Sequence, residues 1–352
     1  MKRLVGLAGA CAVLFAGGAS VEVMKLTVVA AAPPSTTPVK AAKEYFVPEV
    51  SKRLAASGTD FRIDWTEAYS QSLAGFNEVF ETVEEGVAHV GVVLKQFEEA
   101  KLPLEQYMYM VPFMRHTGRQ MIQVDANLHA KIAEMKAQYE KHNQVFLVSG
   151  PSAPQQMFSK FEIRTVDDLK GRKIGASGAM GHWLRGSGAV IVTANMAQSY
   201  TDIKNGVYDG YPISPTLSYA YKTYEAASYY TRVDFGSAAA SAITVHKPTW
   251  AKLPQHVKDI FVEVAAMWPE WQLEIDDANE IAQREPMLKK GVKITELSPA
   301  ERRRWAMQMP NVAREWAEGL EKDGHPGRKV LQTYMDEVRA LNVEVARHWD
   351  RE

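Results

Sequence analysis

Two hydrophobic periods alternate along this chain. Short runs rich in β-branched and aromatic residues predict strands at 25–31, 61–65, 87–94 and 144–149. A second set follows at 172–176, 190–193, 207–211, 231–235, 241–246 and 292–296. Between them lie helical patterns. One opens after Pro38 and runs to about Ala56, with Pro48 expected to kink it. Others cover 73–85, stopped by Gly86, then 117–141, and 198–205 with Gly206 placed to end the helix in a left-handed turn. The C-terminal pair is 298–316 and 327–341. Strand 190–193, apolar at every position but the last, reads as buried.

A much longer pattern occupies 255–290. Val257, Phe261, Val264, Trp268, Trp271 and Ile275 mark an apolar stripe at helical spacing, and Pro269 should bend it. Strands that alternate with helices predict an α/β fold with parallel sheets. The order occurs twice, on either side of Gly150-Pro151-Ser152-Ala153-Pro154, a turn-forming cluster expected to carry the chain from one domain to the next. In such sheets ligands sit at the carboxyl ends of the strands. The loops 177–181, 194–197 and 211–215 should therefore converge on one site.

Composition narrows the class. The chain has 352 residues, enough for about two domains, and 46% of them are apolar. Its 41 basic and 42 acidic residues nearly cancel, and no basic cluster marks a nucleic-acid surface. Residues 1–20 read as a cleaved secretory signal peptide: Lys2 and Arg3, an apolar run from Leu4 to Phe15, then small residues. The single cysteine, Cys11, lies inside it, so the mature chain is expected to lack thiols, disulfides and cysteine metal sites. No later run is apolar for long enough to insert in a membrane.

The stretch Thr165–Gly210 carries a resemblance. "T-x-x-D-L-K-G-R-K-I", then "G-A-V-x-V" and "Y-T-D-I-K-N-G-V-Y-D-G", resembles the ligand-binding segment of TRAP-transporter solute-binding proteins, and the likeness extends over nearly all of the mature chain. It implies a two-domain periplasmic-binding-protein fold with a hinge and a long helix spanning both domains. Domain I would comprise 21–150 and 236–275. Domain II would comprise 151–235 and 276–352 with the C-terminal helices. The implied function is a periplasmic receptor that takes a small organic acid to a membrane permease, with no catalysis and no cofactor, and no residue is singled out as a metal ligand. The family's carboxylate-binding arginine is replaced here by Gly175, and an asparagine after the D-G pair by Ile213. Losing the arginine removes a bidentate anion clamp.

Candidate ligand contacts follow from the loops and from the resemblance. Trp183 is either a flat wall for an apolar ligand body or a wedge beneath the loop. Arg185 is either a replacement cation or a solvated surface residue. The amides of Gln155 and Gln156 lie at the domain crossing, and the backbone of Ser177 and Gly178 lies in a glycine-containing loop. His182, Asn195 and Tyr211 complete the second-domain set, with Tyr69 and Gln71 from the first. The nine histidines form no H-x-x-x-H pair, and none is expected beside a carboxylate at metal-like spacing. G-x-S-x-G is absent, and the glycines at 175, 178 and 181 do not fit a nucleotide loop. The expected ligand is an aromatic or apolar-bodied monocarboxylate. Alternatives are a small aliphatic hydroxy or dicarboxylic acid or, in another class, that the chain is a secreted α/β enzyme.

Overall fold

The computed structural model describes residues 22–352, so the signal-peptide reading of residues 1–20 lies outside the described residues. Two mixed sheets form the frame. The first contains β1 (Glu22–Val29), β2 (Phe61–Ala68), β3 (Val90–Leu94) and β4 (Gln144–Gly150). The second contains β5 (Gln155–Ser159), β6 (Lys173–Ala176), β7 (Val190–Thr193), β8 (Gly210–Ile213), β9 (Tyr229–Gly236) and β11 (Lys293–Glu296). The chain returns to the first sheet as β10 (Ser241–His246). Strand orders are β2-β1-β3-β10-β4 and β11-β9-β5-β8-β6-β7.

Neither sheet is purely parallel, and the exceptions have one cause. β10 runs antiparallel to β3 and β4, and β5 runs antiparallel to β8 and β9. The other described pairings, β1 with β2 and β3, β6 with β7 and β8, and β9 with β11, are parallel. β5 and β10 are the strands that enter a sheet from the other one, through Pro151–Pro154 and Ser237–Ala240. A strand arriving across the cleft must run away from it, whereas its neighbours end there. The antiparallel strands are thus the signature of the two crossings.

A third connection is helical. The helix Gln255–Lys289 has 35 residues and leads from the first sheet to β11 in the second. Val257, Phe261, Val264, Trp268, Gln272 and Ile275 are buried along it. It lies hard against the crossings. A Cβ on Gly150 would fall 1.9 Å from the Gln272 Nε2, and the Ser241 hydroxyl donates to Gln272 Oε1 at 3.3 Å. Two other sequence-predicted helices are each split. The pattern 117–141 breaks at Ile132, whose backbone is extended (φ −126°, ψ 97°). The pattern 298–316 breaks at Pro310, giving Pro299–Gln308 and Val312–Lys322. The first helix runs Thr37–Ala56 but opens into a π turn at Ala42–Phe46, just ahead of Pro48, which lacks the N–H that an α turn needs. β7 corrects the sequence reading: it is an edge strand, with Val190 and Ile191 exposed.

One buried cluster of charge stands out beneath β3. Lys95 is fully buried, and its ammonium donates to Glu105 (2.7 Å) and Ser149 (2.6 Å), with Asp125 at 3.5 Å. The Tyr107 hydroxyl donates to Asp125 (2.7 Å), and His129 Nε2 lies 2.9 Å from Glu105. Asp125 and His129 sit four apart on one helix, so the expectation of no histidine at metal-like spacing from a carboxylate was wrong. With Glu105 they offer three donor atoms within 4.8 Å of one another. The Lys95 ammonium already binds two of these three side chains, so the cluster is built around an organic cation.

Candidate functional site

A cavity opens between the two sheets at the carboxyl ends of their strands. It holds about 680 Å³ of space, counting its open mouth. Ala32, Leu94, Gln96 and Pro151 follow or end strands of the first sheet. Met180, Met196 and Ile213 come from the three second-sheet loops and strand ends. Ala240 and Ser241 supply the second crossing, Leu217 a short helix, and Asp276 the long helix. The wall is mostly apolar, the usual character of a small-molecule site.

Its polar groups are few and placed. Thr36 stands at the N-cap of the Thr37–Ala56 helix, but its hydroxyl donates to the Pro33 carbonyl (2.8 Å) instead of capping. Pro38 has no N–H and Lys40 N is bonded to Thr36 O, so the uncapped donors at this helix start are the Thr37 and Val39 N–H groups, a favourable end for negative charge. The Tyr109 hydroxyl donates to Gln96 Oε1 (3.1 Å), which leaves the Gln96 amide nitrogen as the end that can donate. Gln155 Nε2 makes only long bonds, to Ser152 Oγ (3.4 Å) and Ala153 O (3.2 Å), and its Oε1 is buried and unpaired. Ser214 and Thr216 add hydroxyls. Among the described residues on the wall there is no arginine, lysine or histidine. Asp276 is the one carboxyl. Burial pushes its pKa up from 3.8 to about 7, against the Thr37 hydroxyl that donates to it (2.5 Å), and its neighbour Asp277 adds to the rise.

The sequence-predicted contacts divide sharply. Of that set, Gln155 alone lines the cavity. Trp183 does not: it is 2% exposed, donates from its indole to the Tyr109 carbonyl (2.7 Å), and stacks on Phe235 at 4.8 Å. It is the wedge behind the wall, because its apolar ring finds more partners in that aromatic core. Arg185 is bound to Glu315 on the surface. Gln156 faces the opposite way, clasping Asp234 through its side chain and backbone N–H (2.9 Å each). Ser177 and Tyr211 are buried and bonded to each other, and Ser177 also donates to the Ala194 carbonyl. His182 is half-exposed near Glu99, and Asn195 caps the next turn through Ala197 N. Tyr69 is buried off the wall, and Gln71 is exposed in a left-handed turn. Gly178 packs against the Gln96 carbonyl and is not on the wall.

Gly175 is closed off by Tyr208. A Cβ there would lie 2.7 Å from the Tyr208 ring, which fills the volume a longer side chain would take. Sequence reasoning missed Thr36, Thr37, Gln96, Leu217 and Asp276. One signal was legible: Asp276 continues the row Val264, Trp268, Gln272 at four-residue steps, a carboxylate on the buried side of a helix.

Known structures share this architecture. A TRAP solute-binding protein from Rhodoferax ferrireducens, in complex with copurified benzoate, superposes with a TM-score of 0.77 at 18% identity, covering 91% of this chain and 98% of that one. A marine metagenome TRAP protein specific for aromatic acid ligands, with 3-hydroxybenzoate, gives 0.76 at 19% identity, over 91% and 99%. A Bordetella pertussis receptor binding pyroglutamic acid gives 0.74 at 20% identity, over 88% and 99%. At these identities the likeness establishes the fold. No curated protein matches the sequence. Residues 28–319 match the family model of bacterial extracellular solute-binding protein, family 7, and the chain belongs to that family of TRAP-type receptors, which bind solutes and are not enzymes.

Proposed function

We propose that this receptor works in the periplasm, captures an aromatic or otherwise apolar-bodied monocarboxylate, and hands it to the permease of a TRAP transporter. The observation that carries the ligand class is the cavity wall: apolar on most sides, uncapped helix N–H groups on one, and no cationic side chain among its described residues. A single carboxylate can be held by backbone and amide donors. A second one would lie against apolar wall, at the full cost of its desolvation. Met180 and Met196 offer thioether faces to a ring, each contact worth roughly 0.3–1.5 kcal/mol. Relatives of the same fold that hold benzoate and 3-hydroxybenzoate support this reading. The hydroxyls of Thr36, Ser214 and Thr216 favour the runner-up, a small aliphatic hydroxy acid.

In this account 21–150 with 236–275, and 151–235 with 276–352, are the bodies that close on the ligand, hinged at the crossings. Among the described residues no helix is long and apolar enough to cross a membrane, in keeping with release after signal cleavage. A thermal-shift screen tests the ligand class. A benzoate-type acid at a hundredfold excess over its Kd is expected to add about 2.7 kcal/mol of stability. C4-dicarboxylates are expected to add far less. A larger shift with dicarboxylates or with small hydroxy acids would replace this reading.

A further inference from the structure

Asp276 is the only side chain of acidic or basic type among the described residues on the cavity wall. Thr37, at the start of the helix that lines the same space, donates its hydroxyl to Asp276 Oδ1, and the Ala153 backbone N–H also favours the ionised carboxyl, while Asp276 itself stays on the cavity wall. A carboxylate bound between the helix end and the apolar wall therefore shares an enclosed space with a second carboxyl. Two like charges so placed cannot both stay ionised without a cation between them, and the wall supplies none.

The groups on the far side of Asp276 do not relieve this. A second cleft lies there, lined by Asp277 and Glu280 on the same helix, Arg115 ahead of the helix Gly118–Lys131, Tyr230, Arg232 and Asp234 on β9, and Glu296 on β11. Its four other carboxylates outnumber its two guanidiniums, and Arg115 is already engaged by Asp234 and Glu344 (3.5 Å each). On the first helix, Lys40 turns to Glu44 at 4.0 Å. The net field at Asp276 is that of neighbouring anions.

We propose that this receptor binds its monocarboxylate together with one proton, held on Asp276, so that Asp276 serves as a hydrogen-bond donor to the ligand's carboxylate. The proton comes from solvent and adds to the carboxylate of Asp276, and no other bond forms or breaks. Asp276 thereby becomes the residue that excludes dicarboxylates and makes capture strongest in mildly acidic surroundings. The inference rests on the monocarboxylate reading above.

Calorimetry with benzoate as the probe tests it, run between pH 5.5 and 8.5 in phosphate and in Tris, whose ionisation enthalpies differ. Benzoate is ionised throughout that range. The expected result is uptake of about one proton at the alkaline end, vanishing at the acid end, with Kd rising about tenfold per pH unit above roughly pH 7. Asp276→Asn should abolish the uptake and flatten the pH dependence, and circular dichroism checks that the variant is folded. Benzoate binding by the wild type with no proton uptake, or tighter binding at alkaline pH, overturns the inference alone. Failure of every benzoate-type acid to bind at any pH, while another solute class binds, overturns the ligand reading and the inference with it.

Discussion

Replacing Lys95 by methionine is expected to cost about 3–5 kcal/mol of folding stability, read by chemical denaturation of the mature protein. The ammonium is fully buried and answers two buried carboxylates, Glu105 and Asp125, one of them at 2.7 Å. Burial lowers its pKa, but those carboxylates raise it further, so it stays charged. Methionine keeps the packing and removes the charge, which leaves two buried carboxylates without their ammonium partner. Combining Lys95→Met with Glu105→Gln should recover part of the loss, because the anion goes with its partner. The cluster also makes the fold acid-sensitive. Burial raises the Glu105 pKa, but Lys95 and His129 hold it below the ordinary 4.5. A carboxyl depressed in the folded state contributes stability above its unfolded pKa and loses it as pH falls through the folded value. A Lys95→Met protein with wild-type stability would show that the cluster is not the internal brace it looks like.

The second large effect concerns closure. Gly178→Ala is expected to weaken ligand binding about 10–100-fold, which is about 1.4–2.8 kcal/mol set against the closed form. Gly178 opens the turn Gly178–Leu184 in the second body, with φ +51°. A Cβ there would lie 2.2 Å from the carbonyl oxygen of Gln96 in the first body. Backbone meets backbone at that point, so no side-chain rotation can relieve the overlap. An open arrangement separates the two, and the unliganded variant should lose only the roughly 1–2 kcal/mol of a left-handed alanine. Gly178 itself does not line the cavity, so the loss arises where the two bodies approach, at a backbone that also carries the wall residue Gln96. Unchanged affinity in Gly178→Ala would mean that the bodies bind ligand without this approach.

The frame of the molecule was legible because it rests on local pattern. The long helix over Gln255–Lys289, the crossing at Pro151–Pro154, and Gly206 in a left-handed turn all follow from periodicity and from proline or glycine chemistry. What the sequence could not supply was partnership. Trp183 looks the same in one dimension whether it faces ligand or Phe235, and only the third dimension shows its indole donating to Tyr109. Gly175 gives no hint in one dimension that Tyr208, more than thirty residues on, fills the volume a side chain there would take. The antiparallel β5 and β10 depend on which side of the cleft the chain comes from, which no strand's composition encodes. Asp125 and His129 were within reach as an i, i+4 pair, but their meaning depends on Lys95, which arrives from another element.

On the proposal above, the cavity between the sheets takes a single carboxylate on an apolar body. Titrating benzoate and a C4-dicarboxylate, by calorimetry, into wild type and Leu217→Trp tests it most directly. Leu217 is half-buried on the cavity wall, so tryptophan fills the space with little disturbance behind it. The account predicts one benzoate per wild-type chain, much weaker dicarboxylate binding, and a loss of about a hundredfold or more in Leu217→Trp, or about 2.8 kcal/mol. Tighter binding of the dicarboxylate, or undiminished benzoate affinity in Leu217→Trp, would contradict it.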